Sequence, residues 1–486
     1  MQACRINTFK TLLLCLAPFV YMSLFIGSYT DDAFITLSYV KTLVQSHTWG
    51  MHAGHVSNAA TSPLHVLLLS PLTVVVRDPL IGLYLFDVSV IFAFYFVFRR
   101  ISRNSGAPEA WPLLATVLLY VNPLLVSTQG LESYLYLLML VVTCMLHAED
   151  RHWLAGVACG LLYLARPDGC LAAVVLAVAC ISQRKWRGLV FLVPLMLIDL
   201  VWSWVSWKYL GSPIPDTFFI KQGQIFQGGF TFFSGLLFYF SRFPIALALS
   251  FAPVIALLLY RPTVWSPFGK IFWLLLTAYV TLHFAGYALL RVPPFHWYYA
   301  PEAAFCALAG SLGLACHIGK KLKGSNPAIA LLVFGSLIPV LMSIFLTSTL
   351  PISTNWANAN GYRKIAEWLN RNIQDDKIAL RGELGVLQYY TRADMIDEFS
   401  DRSFIGRRYR KTSDSFARQL IGTAFENAQA PSLTDIHYGL AGCRSPDYAL
   451  QTWVLESPWG GGSHICLYRL KSVTGDGWEI STTPNR

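Results

Sequence analysis

The chain has 486 residues, 55% of them hydrophobic and only 13% charged, with a net charge of +10. Soluble domains carry about 25% charged residues, so this composition excludes a single water-soluble globule and points to a polytopic α-helical membrane protein. The basic residues fall in short clusters between apolar runs, the positive-inside pattern, which makes anionic membrane lipid the expected partner and argues against nucleic acid.

The first apolar run, residues 8–27, is about the 20 residues needed to span. No signal-peptide cleavage pattern follows it, so it reads as a retained helix. Arg5 and Lys10 precede it and put the N-terminus in the cytoplasm. Tyr29-Thr30-Asp31-Asp32 then emerges outside. A helical pattern starts at once, with Ala33, Leu37, Val40 and Val44 on one face and Lys41 and Gln45 off it, as expected of an amphipathic helix lying on the membrane. Pro63–Val76 is short, holds Pro71 and closes on Arg77-Asp78, so it reads as a surface or re-entrant helix. Residues 28–78 thus form one external loop. Pro79–Phe98 crosses back to Arg99, Arg100 and Arg103 inside.

The later spans alternate consistently. They are Trp111–Val126, Ser133–Leu146, Trp153–Ala165, Cys170–Ile181, Leu189–Trp207, Phe243–Tyr260, Ile271–Leu290, Ala300–Ile318 and Ala328–Leu350. With the first two, they make about eleven transmembrane helices in residues 1–350. Composition then turns ordinary, and residues 351–486 read as an extracytoplasmic soluble α/β domain. Gly361–Asn372 has helical spacing, Lys377–Leu380 and Met395–Asp397 are strand-like, and Gly382–Gly385 is a turn into a helix. Gly460-Gly461-Gly462 looks like a tight loop, followed by a strand at Ile465–Leu470. No segment spaces like a nucleotide loop, so the domain serves as a support or for acceptor recognition.

Eight of the ten cysteines lie in or beside membrane helices without CxxC spacing, which argues against a thiolate metal site. Cys443 and Cys466 are alone in the soluble domain. They are either a disulfide, if the domain faces an oxidising compartment, or two free thiols.

Asp31 and Asp32 are the leading catalytic candidates. One Asp suffices to cap a helix; the second is surplus, and two adjacent carboxylates raise each other's proton affinity, which suits one to act as a base. Arg166, Lys221, Arg291 and His296 recur on the predicted external side, where a phosphate anion would account for positive charge. The bland reading is snorkelling anchors, with Trp297, Tyr298 and Tyr299 as an interfacial belt. Glu132 falls outside after the Trp111–Val126 span, and Asp168 in Arg166-Pro167-Asp168-Gly169 reads as a turn residue.

Asp31-Asp32-Ala33-Phe34-Ile35-Thr36-Leu37-Ser38-Tyr39, then Thr61-Ser62-Pro63-Leu64, resembles the first external loop of GT-C glycosyltransferases. Within them the chain looks most like AftB-type arabinofuranosyltransferases and their bacterial relatives. Asn122-Pro123-Leu124, Gly130-Leu131-Glu132-Ser133, Ala165–Gly169, Tyr209–Phe218 and Gly382–Gly385 follow in that family's order. Two stretches depart from it. Asn58-Ala59-Ala60 stands where Glu-Gly-Tyr is frequent, and Pro-Pro-Phe-His follows Arg291 where an Arg-Tyr-Leu-like run is commoner.

The resemblance implies inverting transfer of a sugar, with arabinofuranose as the lead, from a polyprenyl-phosphate donor to an extracytoplasmic glycan or protein acceptor at the inner (plasma) membrane. It implies Asp31 as the base, with Asp32 orienting it or capping the helix. Arg166, Lys221, Arg291 and His296 would hold the donor phosphate, and Glu132, Tyr29, Asp216 and Tyr298 would contact the sugar or acceptor. No cofactor is required; a divalent metal is permitted. The competing class is a transporter or flippase of a lipid-linked sugar, which would bring internal repeats and midplane charges; the sequence displays neither.

Overall fold

The computed structural model describes residues 15–222, 229–259, 266–320, 335–345 apart from 336 and 344, 350–373 apart from 354, 377–400 apart from 398, 436–457, 463–474 and 477–481. It divides into two compact units. Residues 1–29, 76–199 and 225–353 form the first, and 30–75, 200–224 and 354–486 the second.

The first unit is helical. Among the described residues four helices are long and apolar enough to cross a membrane: Pro79–Ser105, Pro267–Leu289 and His296–Ile318, and Trp186–Leu210, whose residues 200–210 belong to the second unit. Trp111–Tyr120, Ser133–Ala148, His152–Ala165, Pro167–Ser182 and Pro244–Leu259 are shorter apolar helices. The span expected at Trp111–Val126 stops at Tyr120. There Asn122 accepts from the Leu124 and Leu125 amides and opens a separate turn, Pro123–Val126, because Pro123 has no N–H to continue the ladder. Pro253 divides the span expected at Phe243–Tyr260 into Pro244–Phe251 and Val254–Leu259 in the same way. Most of the expected Ala328–Leu350 span, and residues 8–14 of the first, lie outside the described residues.

Asp216–Gln222 and Phe232–Arg242 have no counterpart in the sequence reading. Phe232–Arg242 begins at a reciprocal cap between Thr231 and Ser234, and its Phe233, Leu237 and Phe240 are exposed, leaving one apolar face uncovered. Within the unit, small residues allow close backbone approach. A Cβ on Gly310 or Gly313 of the Ala300–Lys320 helix would overlap the carbonyl of Pro253 or Ala256. Trp111 donates its indole N–H to Ser311 at 3.0 Å. Arg100 grips Glu149 through Nε at 2.7 Å and Nη2 at 2.5 Å, a two-pronged bond of the stronger kind.

The second unit is built on a six-stranded sheet in the order β2-β1-β3-β5-β4, with β6 on β5. Its strands are β1 (Lys377–Leu380), β2 (Asp394–Ile396), β3 (Ile436–Gly442), β4 (Ala449–Leu455), β5 (Ser463–Thr474) and β6 (Gly477–Ile480). β1 runs parallel to β2 and β3, with Ile378 opposite both Met395 and Tyr438, whereas β5 is antiparallel to β3, β4 and β6. The amphipathic Ala359–Asn372 helix and the short Gly385–Tyr390 helix accompany the sheet.

The helix expected to lie on the membrane, Asp31–Ser46, is covered by protein on its apolar face. Phe34 packs on Tyr389 and Tyr390 with ring centroids 5.6 and 5.8 Å away, and Lys41 donates to the Tyr389 carbonyl at 3.0 Å. Cys443 and Cys466, 23 residues apart, are joined by a disulfide beside the β3–β5 pairing. Closing a loop of that size stabilises by about 2–4 kcal/mol. Cys466→Ser is therefore expected to lower the unfolding temperature of the second unit under non-reducing conditions and to leave no further effect for dithiothreitol, as calorimetry would show.

Candidate active site

Asp31 and Asp32 open the helix Asp31–Ser46, yet neither caps it; the residue before them, Thr30, makes no side-chain cap either. Asp31 is 4% exposed and serves another helix. Its Oδ2 accepts from the Gly385 amide at 2.7 Å and its Oδ1 from the Val386 amide at 2.8 Å, two donors left without partners at the start of Gly385–Tyr390. A Cβ at position 385 would overlap the Asp31 carbonyl oxygen, so glycine is needed there.

Asp32 is different. It is half-buried, and its carboxylate accepts no hydrogen bond among the described residues. Burial raises the proton affinity of both groups. The Val386 and Gly385 amides pull Asp31 back and the charge of Asp32 pushes it up again, leaving it at about 7. For Asp32 the balance is burial, which raises, against Lys221, which lowers, with a net rise. Glu383, two residues before the clamp, is pushed well above the ordinary glutamate range by burial and by Asp31. Its Oε1 accepts from the Trp356 amide while its Oε2 is buried with no partner. One carboxylate of the pair is fixed and the other is available.

Asp216, expected to contact substrate, closes a loop lock instead. Its Oδ2 accepts from the Asn58 amide at 3.1 Å, and its own amide donates to the Asn58 carbonyl at 2.8 Å. The Asn58 side chain spans Ser206, Ser212 and Ile214 at 3.1–3.2 Å. Asn58, which departs from the family pattern, is thus committed to holding this loop.

In the first unit the structure brings together Arg166, Glu132 and Tyr298. Arg166 is 5% exposed. It donates to Asp168 at 3.2 and 3.3 Å, to Glu132 at 3.4 Å and to the Tyr287 hydroxyl at 3.3 Å. The rings of Tyr136 and Tyr298 lie 5.2 and 5.1 Å from the guanidinium carbon. His283 stands 3.2 Å from Asp168 Oδ2 and 2.8 Å from Glu302 Oε1. Three carboxylates surround one guanidinium and one imidazole, so the cluster has no surplus positive charge to offer a phosphate. Removing one partner of such a buried set costs about 3–5 kcal/mol. Asp168→Ala should accordingly lower thermal stability more than Asp168→Asn, which keeps one of the two accepting oxygens in place.

His296 is fully buried, with Nε2 2.9 Å from the Ser127 carbonyl. Arg291 is exposed, holds a left-handed φ of 51°, and makes no ion pair among the described residues. Tyr29 is buried in the first unit, within the field of Asp87. Sequence reasoning missed His283, Glu302 and Asp87, noted Glu383 and Gly385 only as part of a turn, and took Asp168 for a turn residue. The signal for Asp87, His283 and Glu302 was a titratable side chain within an apolar run. Among the described residues no group of three or more His, Cys, Asp or Glu side chains is arranged to hold a metal ion.

No protein-family model and no curated protein matches this sequence. Solved structures do match by shape. The crystal structure of ArnT from Cupriavidus metallidurans in the apo state superposes with a TM-score of 0.62 at 14% identity, covering 95% of this chain and 98% of that one. The cryo-EM structure of the arabinofuranosyltransferase AftD from Mycobacteria gives a TM-score of 0.48 at 16% identity, covering 89% of this chain and 35% of AftD. The ArnT match shows a shared fold along nearly the whole of both chains.

Proposed function

We propose that this chain is an inverting GT-C-type glycosyltransferase that moves a sugar from a polyprenyl-phosphate donor to a hydroxyl of an extracytoplasmic glycan or protein, with Asp32 as the base. The observation that carries the reading is the asymmetry of the acid pair. Asp31 is fixed by the Gly385 and Val386 amides, whereas Asp32 has raised proton affinity and no hydrogen bond to give up. The acceptor hydroxyl passes its proton to Asp32 as its oxygen attacks the anomeric carbon. The bond from that carbon to the phosphate oxygen breaks, and polyprenyl phosphate leaves. A single displacement inverts the anomeric centre. Lys221 favours the ionised form of Asp32 against its burial, and Asp31 accepts from the amides at the start of Gly385–Tyr390.

The ArnT-like fold supports a GT-C glycosyltransferase over a transporter. The disulfide supports an oxidising compartment for the second unit. Arabinofuranose is the lead sugar on the sequence resemblance alone, with mannose or another pentose next. The test is to incubate purified protein with polyprenyl-phosphate arabinofuranose, mannose and xylose and a hydroxyl acceptor, following release of polyprenyl phosphate. At least one donor is expected to be consumed, with inversion at the anomeric carbon; consumption of none by folded protein would overturn the reading.

A further inference from the structure

We infer that Arg381 and Arg444, set beside Trp478 at the carboxyl ends of β1 and β3, form a subsite for an acidic group, a carboxylate or phosphate, carried by the acceptor glycan. The inference deepens the function proposed above and rests on it for the ligand's role as acceptor. Arg381 directly follows β1, and Arg444 lies two residues beyond β3. These are neighbouring parallel strands, in register at Leu380 and Leu440. The Arg381 amide continues the pairing by donating to the Leu440 carbonyl at 3.0 Å. In open α/β sheets, ligands bind outside the carboxyl ends of such strands.

A chain of contacts joins the two arginines. The Arg381 guanidinium carbon lies 5.3 Å from the centre of the Trp478 ring, within cation–π range. Trp478 rests on the sheet over Gly439, where a Cβ would overlap the ring, and its centroid is 6.4 Å from that of Tyr468. The Tyr468 hydroxyl accepts from the Arg444 and Ser445 amides at 3.1 and 3.4 Å. The Cys443–Cys466 disulfide ties the residue before Arg444 to β5. Both arginines are exposed, and neither makes an ion pair among the described residues. Partial burial, and then the charge of Arg444, make Arg381 harder to charge, as happens where two like charges approach.

The chemistry of the pair selects its ligand. Two guanidinia held close repel each other, and an anion between them turns that repulsion into attraction. Their planar forks match the paired oxygens of a carboxylate or phosphate; a neutral sugar would leave the repulsion in place. The position points to the acceptor. Gly385, whose amide holds Asp31 at 2.7 Å, comes four residues after Arg381, and four residues of chain reach at most about 14 Å. The subsite therefore lies within reach of the acid pair in the same unit, over a span that an oligosaccharide covers. Two merely solvated arginines are the competing account, and the experiment separates the two.

Wild type, Arg381→Gln and Arg444→Gln are purified at full length in detergent. Binding of methyl glucuronide, methyl glucoside 6-phosphate, methyl glucoside and inorganic phosphate is measured by titration calorimetry, with thermal unfolding recorded alongside. At least one acidic glycoside is expected to bind about tenfold more tightly than methyl glucoside, and each substitution to weaken it about tenfold. The unfolding temperature of Arg444→Gln should hold or rise, because a like-charge contact has gone, so lost binding reports the site and not the fold. Acidic glycosides that do not bind, that bind no better than the neutral one or than inorganic phosphate, or that ignore both substitutions overturn the subsite. Where transfer is found, both variants should raise KM for an acidic acceptor and leave KM for the donor alone. A rise in donor KM only would assign the pair to the donor phosphate and overturn the inference. Acidic glycosides that bind through both arginines, with no transfer from any donor, sink the enzyme reading and leave the site standing.

Discussion

On the proposed mechanism, Asp32→Asn is expected to lower sugar transfer by about 10²–10⁴-fold, the usual contribution of a positioned general base, and to leave thermal stability unchanged. The second half of that expectation follows from geometry. The Asp32 carboxylate accepts no hydrogen bond among the described residues and meets Lys221 only through its field, so an amide in its place strands nothing. Asp31→Asn differs on both counts. One of the Gly385 and Val386 amides, now 2.7 and 2.8 Å from a carboxylate oxygen, would face an NH₂ group. An unmet buried donor costs about 1–3 kcal/mol, so Asp31→Asn lowers the unfolding temperature as well as the rate. Rate and melting curves on the two variants therefore separate the base from its anchor. Equal losses of stability would contradict the division of labour.

Gly385→Ala is expected to cost about 10²-fold in turnover, because a misplacement of about 1 Å at a reacting group has that effect. The added methyl would overlap the Asp31 carbonyl oxygen and crowd its Oδ2. Either the Gly385–Tyr390 helix or the start of Asp31–Ser46 must shift, and Asp32 moves with its neighbour. The signature is a fall in kcat with little change in KM for the donor. Gly442→Ala is the control, since nothing lies within 4 Å of a Cβ built there; it should leave turnover intact. Wild-type kcat in Gly385→Ala would show that the clamp does not govern the acid pair.

Much of the architecture was legible in the sequence because apolar length and charge clusters are local signals. The Pro63–Val76 helix, the Arg166–Gly169 hinge and the β1 strand were all readable from pattern alone. The break at Tyr120 was harder: apolar content runs unbroken through Asn122-Pro123, and only the proline's missing N–H marks the interruption. Phe232–Arg242 was passed over because its opening signal, Thr231 with Ser234, is a weak form of a capping box.

Within the acid pair, the sequence did not reveal that the two carboxylates meet different surroundings. Which Asp is fixed depends on amides 354 and 355 residues away in sequence, and no local pattern carries such a contact. The cations expected to hold phosphate fared similarly: Arg166 looks available in sequence, and only the fold reveals that Asp168, Glu132 and Tyr287 occupy it.

The pH dependence of a single turnover tests the central claim most directly. Burial lifts the proton affinity of Asp32 above the ordinary carboxylate range, against the opposing charge of Lys221. A base must be unprotonated to act, so the wild-type rate should fall by up to tenfold per pH unit as the pH drops through the raised range of Asp32, and level off above it. In Asp32→Asn the rate at pH 8 should be about 10²–10⁴-fold lower, with that slope gone. Identical rates and identical pH profiles in the two proteins would contradict the assignment of Asp32 as the group that takes the acceptor's proton.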